Sequence, residues 1–239
     1  MLNATTQGQG DKVVIAHGLY GSGRNWGVIA KRLSDAFTVI TPDMRNHGDS
    51  PNLDTHSYQD LAEDLAAFGP AHYVGHSMGG KAVMTLALTQ PALVQSLAIL
   101  DIAPVAYSHS QMEPLEAMRR ADLSTLTRRS ELDLGLDPAT TAFLAQSLDV
   151  AGQRWRLNLD TLADEMPKIM GFPDPDGAYT GRTLVLRGET SDYVRPDHEE
   201  KIRALFPKAR IETIPGAGHW LHADNPREVE AALRGFLSP

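Results

Sequence analysis

Short apolar runs alternate with helical patterns along the first part of the chain. The runs are rich in β-forming side chains and cover residues 12–16, 37–40, 71–74 and 96–100. Helical patterns lie between them, at residues 26–33, 58–68 and 81–89. Continuous apolar strands joined by helices predict a parallel sheet that is covered on both faces. Such a sheet carries its reactive residues on the loops at the carboxyl ends of its strands.

The alternation stops between residues 104 and 181. Candidate helices lie there at residues 111–120, 124–132, 138–147 and 159–169, and no convincing strand is present. The segment is too long for a connecting loop and predicts an inserted helical cap. Strands then resume at 183–186 and 210–214, with helices at 197–205 and 226–237. The predicted fold is of the α/β class, with a core of residues 1–103 and 182–239 and a helical cap insertion at 104–181.

Composition narrows the class of protein. The net charge of −8 disfavours a nucleic-acid or anionic-membrane surface, since phosphate binding needs clustered Lys and Arg. The absence of cysteine excludes disulfides, thiolate metal sites and a cysteine nucleophile. The first ten residues are polar, and no stretch has the length of a membrane span. We therefore expect a soluble cytoplasmic protein, whose oligomeric state the sequence leaves open.

A serine at a predicted strand–helix junction is the main chemical signal. Residues 75–79 read Gly-His-Ser-Met-Gly, between the run at 71–74 and the helical pattern at 81–89. This is the G-x-S-x-G nucleophile elbow, in which flanking glycines let strand and helix approach and a strained serine projects its hydroxyl above the sheet. The pattern predicts that Ser77 is a nucleophile.

The same stretch also fits most of a phosphate-binding loop. Gly75 is followed by Gly80 and Lys81 at the required spacing. That motif needs Ser or Thr after the lysine to ligate Mg²⁺, and Ala82 has no side-chain oxygen. Nucleotide binding is therefore disfavoured, and we expect neither a metal nor an organic cofactor.

A serine nucleophile needs an imidazole base and a carboxylate that orients it, in the chain order serine, acid, histidine. His219 lies in a glycine-rich segment between the last predicted strand and the last helix, which favours it as the base. Two acids compete for the third place. Asp101 follows the strand next to the elbow strand, whereas Asp192 lies one residue beyond the usual Gly-x-x-Asp position, which is held by Ser191. The placement favours Asp101 and leaves Asp192 as the alternative.

An oxyanion intermediate needs two backbone N–H donors, one from the residue after the nucleophile and one from an early loop. Met78 supplies the first. The glycine-rich residues 17–21 follow the first strong strand, and the N–H of Leu19 is the candidate for the second. The segment 43–50 leaves the second strand at the same edge, and we expect Asp43 or Arg45 to brace the early loop.

These residues together resemble a known family. The segments HGLYG, DMRNHGDS, GHSMGGKAVM, LDIAP and GAGHWLHAD are similar to those of the YbfF-type esterases of the α/β-hydrolase superfamily and of the related α/β-hydrolase-domain-containing protein eleven family. The resemblance spans nearly the whole chain. It implies the α/β-hydrolase fold, an acid at Asp101, and short-chain ester or thioester substrates.

The resulting hypothesis is a serine-dependent carboxylic-ester hydrolase that acts through an acyl-enzyme on short-to-medium acyl esters. Ser77 attacks, His219 transfers the proton, Asp101 orients the imidazole, and the amides of Leu19 and Met78 bind the oxyanion. The alternatives are a thioester hydrolase or a carbon–carbon bond hydrolase on the same fold and, more distantly, a non-catalytic ligand-binding scaffold. Four apolar residues of the predicted cap are expected to line an acyl pocket: Met112, Met118, Trp155 and Phe172.

Overall fold

The computed structural model describes residues 1–173 and 175–238. Asp174, inside the predicted cap, and Pro239, at the end of the predicted core, lie outside the described residues. The described part of the chain is organised by a seven-stranded sheet. Its strands are β1 Ala4–Gln7, β2 Asp11–Ala16, β3 Phe37–Pro42, β4 Ala71–His76, β5 Val94–Leu100, β8 Arg182–Gly188 and β9 Ala209–Ile214. They lie side by side in the order β1-β3-β2-β4-β5-β8-β9. All neighbouring pairs are parallel except β1 with β3.

Helices cover both faces of this sheet. They are α1 Gly27–Leu33, α2 Tyr58–Ala66, α3 Met78–Thr89, α8 Glu199–Leu205, α9 Leu221–Asp224 and α10 Pro226–Leu237. Successive side chains of a strand point to opposite faces. Val13 and Ile15 accordingly pack in the core that contains α1 and α10, whereas Val14 packs in the core that contains α2, α3 and α8. The continuous apolar strands of the sequence are thus buried on both sides, as predicted.

Between β5 and β8, the described residues form four short α-helices and a small strand pair. These elements are α4 Met112–Arg120, α5 Pro138–Ala145, β6 Leu148–Asp149, β7 Arg154–Trp155, α6 Leu159–Asp164 and α7 Met166–Met170. Leu115, Met118, Leu144 and Leu162 form a core of their own, into which Tyr20 of the early loop inserts. The antiparallel pair β6–β7 corrects the expectation that this segment contains no strand.

Two predictions of helices in this segment were wrong. Residues 124–132 contain only the 3₁₀ turn Arg129–Glu131, because the Glu131 carboxylate accepts the N–H groups of Thr127 and Arg128 and so competes with helical pairing. The predicted helix at 159–169 divides into α6 and α7. Pro167 has no N–H and its ring clashes with the preceding turn, so one straight helix cannot run through it.

The first strand, β1, was not predicted. Its residues Ala4–Gln7 are mostly exposed, and their polar sequence has no apolar alternation. Backbone pairing with the edge of β3 makes this segment a strand. No helix within residues 1–173 and 175–238 is long and apolar enough to cross a membrane.

Candidate active site

Ser77 lies at the turn between β4 and α3 with φ +52° and ψ −119°. Positive φ is strained for a residue with a side chain, and the neighbouring glycines make the turn possible. A Cβ on Gly75 would lie 2.3 Å from the carbonyl oxygen of Gly79, and one on Gly79 would lie 2.4 Å from that of Ala16. Only glycine therefore fits at either position. The turn has the geometry of a nucleophile elbow.

Strand register brings the later residues to the same edge of the sheet. His76 at the end of β4 lies opposite Leu100 at the end of β5, and Leu100 lies opposite Leu186 of β8. The residues that follow these strands, Ser77 and Asp101, therefore emerge side by side. The loop after β9 brings His219 over them.

Three side chains form one hydrogen-bonded chain. The Ser77 hydroxyl lies 3.0 Å from Nε2 of His219, and Nδ1 of His219 lies 2.8 Å from Oδ2 of Asp101. A carboxylate can only accept, so Nδ1 carries the proton and Nε2 is left to accept the proton of Ser77. This is the arrangement needed to activate a serine.

Asp101 is fully buried and has φ +50°. Its Oδ1 accepts the N–H of Gly188 at 2.9 Å, and its Oδ2 also accepts the hydroxyl of Ser191.

Asp192, the other candidate acid, lines a surface groove with Arg195 and His198. No hydrogen bond joins Asp192 to His219 in the described part of the chain. Of the two acids, the structure brings Asp101 to the histidine.

Further contacts hold His219 that the sequence did not predict. The ring of Tyr193 stacks on the imidazole, with centroids 3.8 Å apart and planes 17° from parallel. His76 donates from Nε2 to the carbonyl oxygen of His219 at 2.7 Å. The contact of Ser191 with the site could have been found from the sequence, because this residue occupies the position where a Gly-x-x-Asp turn would place the acid. The contacts of Tyr193 and His76 could not, since they depend on how distant loops meet.

Leu19 and Met78 line the same cavity as Ser77. Met78 is the first residue of α3, so its N–H has no partner within the helix and lies at the positive end of the helix dipole. Neither N–H has an acceptor among the described residues. Both are available to an oxygen that bears negative charge.

The loop that carries Leu19 is fixed through the next residue. Tyr20 has φ +63°, its N–H donates to Nε2 of His47 at 3.1 Å, and its carbonyl oxygen accepts the hydroxyl of Ser147 at 2.7 Å. Burial lowers the pKa of His47 well below its ordinary value, which keeps this imidazole neutral and able to accept.

The segment after β3 braces the same region, as expected. The carboxylate of Asp43 accepts the N–H groups of Gly23 at 2.8 Å and Asp49 at 2.9 Å. Arg45 points away from the site and pairs with Asp64 at 2.6 Å. Asp43 therefore holds the chain at Gly23, just after the early loop, and Arg45 ties its own segment to α2.

A cavity of about 440 Å³ opens above Ser77 and His219. Phe143, Leu144 and Ile169 of the segment between β5 and β8 contribute apolar walls.

None of the four residues expected to line an acyl pocket lines this cavity. Met118 and Trp155 pack within the core of that segment, Phe172 packs against the main core, and Met112 lines a separate cavity. The apolar side chains of Met118, Trp155 and Phe172 are used for packing, and sequence alone does not distinguish a packing residue from a pocket residue.

Lys81, the residue that suggested a phosphate-binding loop, points into the protein. Its ammonium group donates to the carbonyl oxygens of Met170 and Gly171 at the end of α7. Burial lowers the pKa of Lys81 to about 7. The side chain thus ties the helix that begins at the elbow to the segment between β5 and β8.

A mostly parallel sheet with a serine on a strained strand–helix turn, and with a histidine and a buried acid brought to it from later strands, defines an α/β-hydrolase fold. A family model described as the alpha/beta hydrolase family matches residues 13–232. The chain therefore belongs to the α/β-hydrolase family.

Individual relatives agree with this assignment. The chain is 40% identical to the sn-1-specific diacylglycerol lipase ABHD11 of Mus musculus, over 95% of this chain and 80% of that protein. It is 34% identical to esterase YbfF of Escherichia coli (strain K12), over 98% of this chain and 96% of that protein. A solved structure described as a marine microorganism esterase superposes with a TM-score of 0.92 at 35% identity and covers 99% of both chains.

Proposed function

We propose that this protein is a serine-dependent carboxylic-ester hydrolase that acts through an acyl-enzyme on short-to-medium acyl esters. Its relatives are named as esterases and lipases. The observation that carries the proposal is the hydrogen-bonded chain from Ser77 through His219 to Asp101. A cytoplasmic location, expected from the composition, is part of the same proposal.

In the first half of the reaction, Oγ of Ser77 attacks the ester carbonyl carbon while Nε2 of His219 accepts the hydroxyl proton. The carbonyl oxygen becomes an oxyanion and accepts the N–H groups of Leu19 and Met78. As the intermediate collapses, His219 returns the proton to the leaving alkoxide, and the acyl group stays on Ser77. Water then repeats the sequence and releases the carboxylic acid.

Asp101 has an orienting and an electrostatic role in this scheme. It holds the imidazole with Nε2 toward Ser77, and its charge stabilises the imidazolium that forms in each half-reaction. Its hydrogen bonds from Gly188 and Ser191 keep the carboxylate in place although it is fully buried.

Residues 104–181 act as a cap over this site in the proposal. Phe143, Leu144 and Ile169 approach the cavity from that segment and form apolar walls around the acyl group. Apolar walls exclude water from the reacting bond and strengthen the oxyanion contacts, because charges interact more strongly in a dry site.

The test compares Ser77→Ala with wild type on 4-nitrophenyl butanoate and on a butanoyl thioester. We expect the variant to lose at least about 10⁴-fold in kcat, because among the described residues the Ser77 hydroxyl is the one hydrogen-bonded to Nε2 of His219. Ser34→Ala, which removes a hydroxyl at the end of α1, serves as the matched control. Ser77→Ala activity within tenfold of wild type would contradict the proposal, and faster thioester than ester turnover would transfer it to the thioester alternative.

A further inference from the structure

A second cavity adjoins the one that contains Ser77. Both have a volume of about 440 Å³. Among the described residues, the two cavities share two lining residues, Tyr107 and Met170. Tyr107 and Met170 therefore lie at the boundary, here called the wall, between the proposed active site and the second cavity.

Tyr107 is the fixed half of this wall. Its N–H donates to the carbonyl oxygen of Met170 at 3.0 Å, and its hydroxyl donates to that of Tyr193 at 2.7 Å. The same hydroxyl accepts the N–H of Ala103 at 2.9 Å. The ammonium group of Lys81 lies 4.8 Å from the ring centroid. A ring held at both ends and on its face cannot swing aside without breaking these contacts.

Met170 is the half that can move. Its backbone is held by Lys81 and Tyr107, which both donate to its carbonyl oxygen. Its thioether side chain is half-buried, unbranched and free of hydrogen bonds in the described part of the chain. Methionine has three rotatable bonds and adapts to irregular apolar space. A change of rotamer at residue 170 would join the cavities while the fold stays unchanged.

The far side of the wall suits an apolar chain. Met112, Ala163, Met166 and Pro167 line the second cavity, while Ser108 and His109 lie at its polar margin. No acidic or basic side chain other than His109 lines it within the described residues. This surface fits a hydrocarbon chain that arrives from the active site.

We propose that Met170 is a gate that sets the acyl-chain length of the substrate. Short acyl groups fit in the active-site cavity with the gate closed. A longer unbranched chain displaces the Met170 side chain and places its distal carbons in the second cavity. The inference rests on the proposed ester hydrolysis at Ser77.

The test measures kcat/KM for 4-nitrophenyl butanoate and dodecanoate in three variants. Met170→Ala removes the movable half of the wall and should raise the dodecanoate-to-butanoate ratio about tenfold, since each buried methylene contributes to selectivity. Met170→Phe should lower the ratio by a similar factor. Ala163→Phe adds volume at a lining residue that the active-site cavity does not share and should lower the ratio through slower dodecanoate turnover.

The matched control is Phe143→Ala, which enlarges the active-site cavity on a wall that the second cavity does not share. A ratio that moves less than twofold in Met170→Ala and Ala163→Phe, or equally in Phe143→Ala, would overturn the gate. If Met170→Ala does not fold, Met170→Phe and Ala163→Phe decide the question. Butanoate hydrolysis that survives Ser77→Ala would instead refute the underlying function, so the two failures are distinguishable.

Discussion

Asp101, the proposed acid, follows β5, the strand next to the elbow strand. The residue in the usual place, after β8, is Ser191, and its hydroxyl donates to the Asp101 carboxylate. The carboxylate therefore reaches the histidine from one strand while the loop of another strand holds it. This geometry separates the two acids that the sequence alone left as alternatives.

We expect Asp101→Asn to lower kcat by about 10³ to 10⁴-fold, because the amide no longer holds the imidazole in the required tautomer or stabilises its charge. Asp192→Asn is the matched control and should change kcat by less than about threefold, since Asp192 is exposed and has no hydrogen bond to His219 in the described part of the chain. Steady-state kinetics on one short ester measures both. The reverse ranking of the two variants would transfer the orienting role to Asp192.

The strands and helices of the core could be predicted from the sequence, because each depends on the burial pattern of its own residues. Strands β2, β4, β5 and β8 are buried on both faces, so they appear as continuous apolar runs, and the helices between them show apolar faces. The strand β1 escaped detection because it is an exposed edge strand whose only signal is backbone pairing. Residues 124–132 show the opposite error, since local side-chain hydrogen bonds overrode helical propensity.

Residues of the candidate site could be predicted where a sequence motif fixes the local backbone geometry. Ser77 and Met78 follow from the elbow, and His219 follows from its glycine-rich loop after the last strand. The contacts of Tyr193 and His76 with His219 were not predictable, because they join loops separated by many residues. Cavity walls were also missed, since an apolar residue on a short helix can face either a pocket or a core.

Burial of neutral histidines is a property of the whole molecule. Burial lowers the pKa of His17, His47 and His76, lowers that of His56 to about 3, and lowers that of His222 to about 4. Several of these rings touch in two chains, one beside the early loop and one beside His219. Protonating any of them would place a cation in a dry, crowded region.

These histidines predict a loss of stability in acid. Each of these histidines has a lower pKa in the folded chain than in the unfolded chain, where it is near 6.5, so the stability they contribute is present above pH 6.5 and is lost as the pH decreases. For His56 and His222, whose pKa values fall to about 3 and about 4, the slope is about 1.4 kcal/mol per pH unit between pH 6.5 and those values. Urea denaturation between pH 7 and pH 4.5 measures the effect.

His222→Phe provides the matched test of this origin. His222 stacks on Trp26 with centroids 4.4 Å apart, and a phenyl ring can take the same place without binding a proton. We expect the variant to show a shallower dependence on pH than wild type. An equal slope in the two proteins would assign the acid sensitivity to other groups.

Ser77 is the proposed nucleophile, and His219 is the base proposed to activate it. Reaction with a fluorophosphonate probe, followed by mass spectrometric mapping of the adduct, tests both parts at once. We expect a single adduct on Ser77 and at least about 100-fold slower labelling in His219→Ala, because the serine then lacks its base. An adduct on any other residue, or labelling of Ser77 that is equally fast without His219, would contradict it.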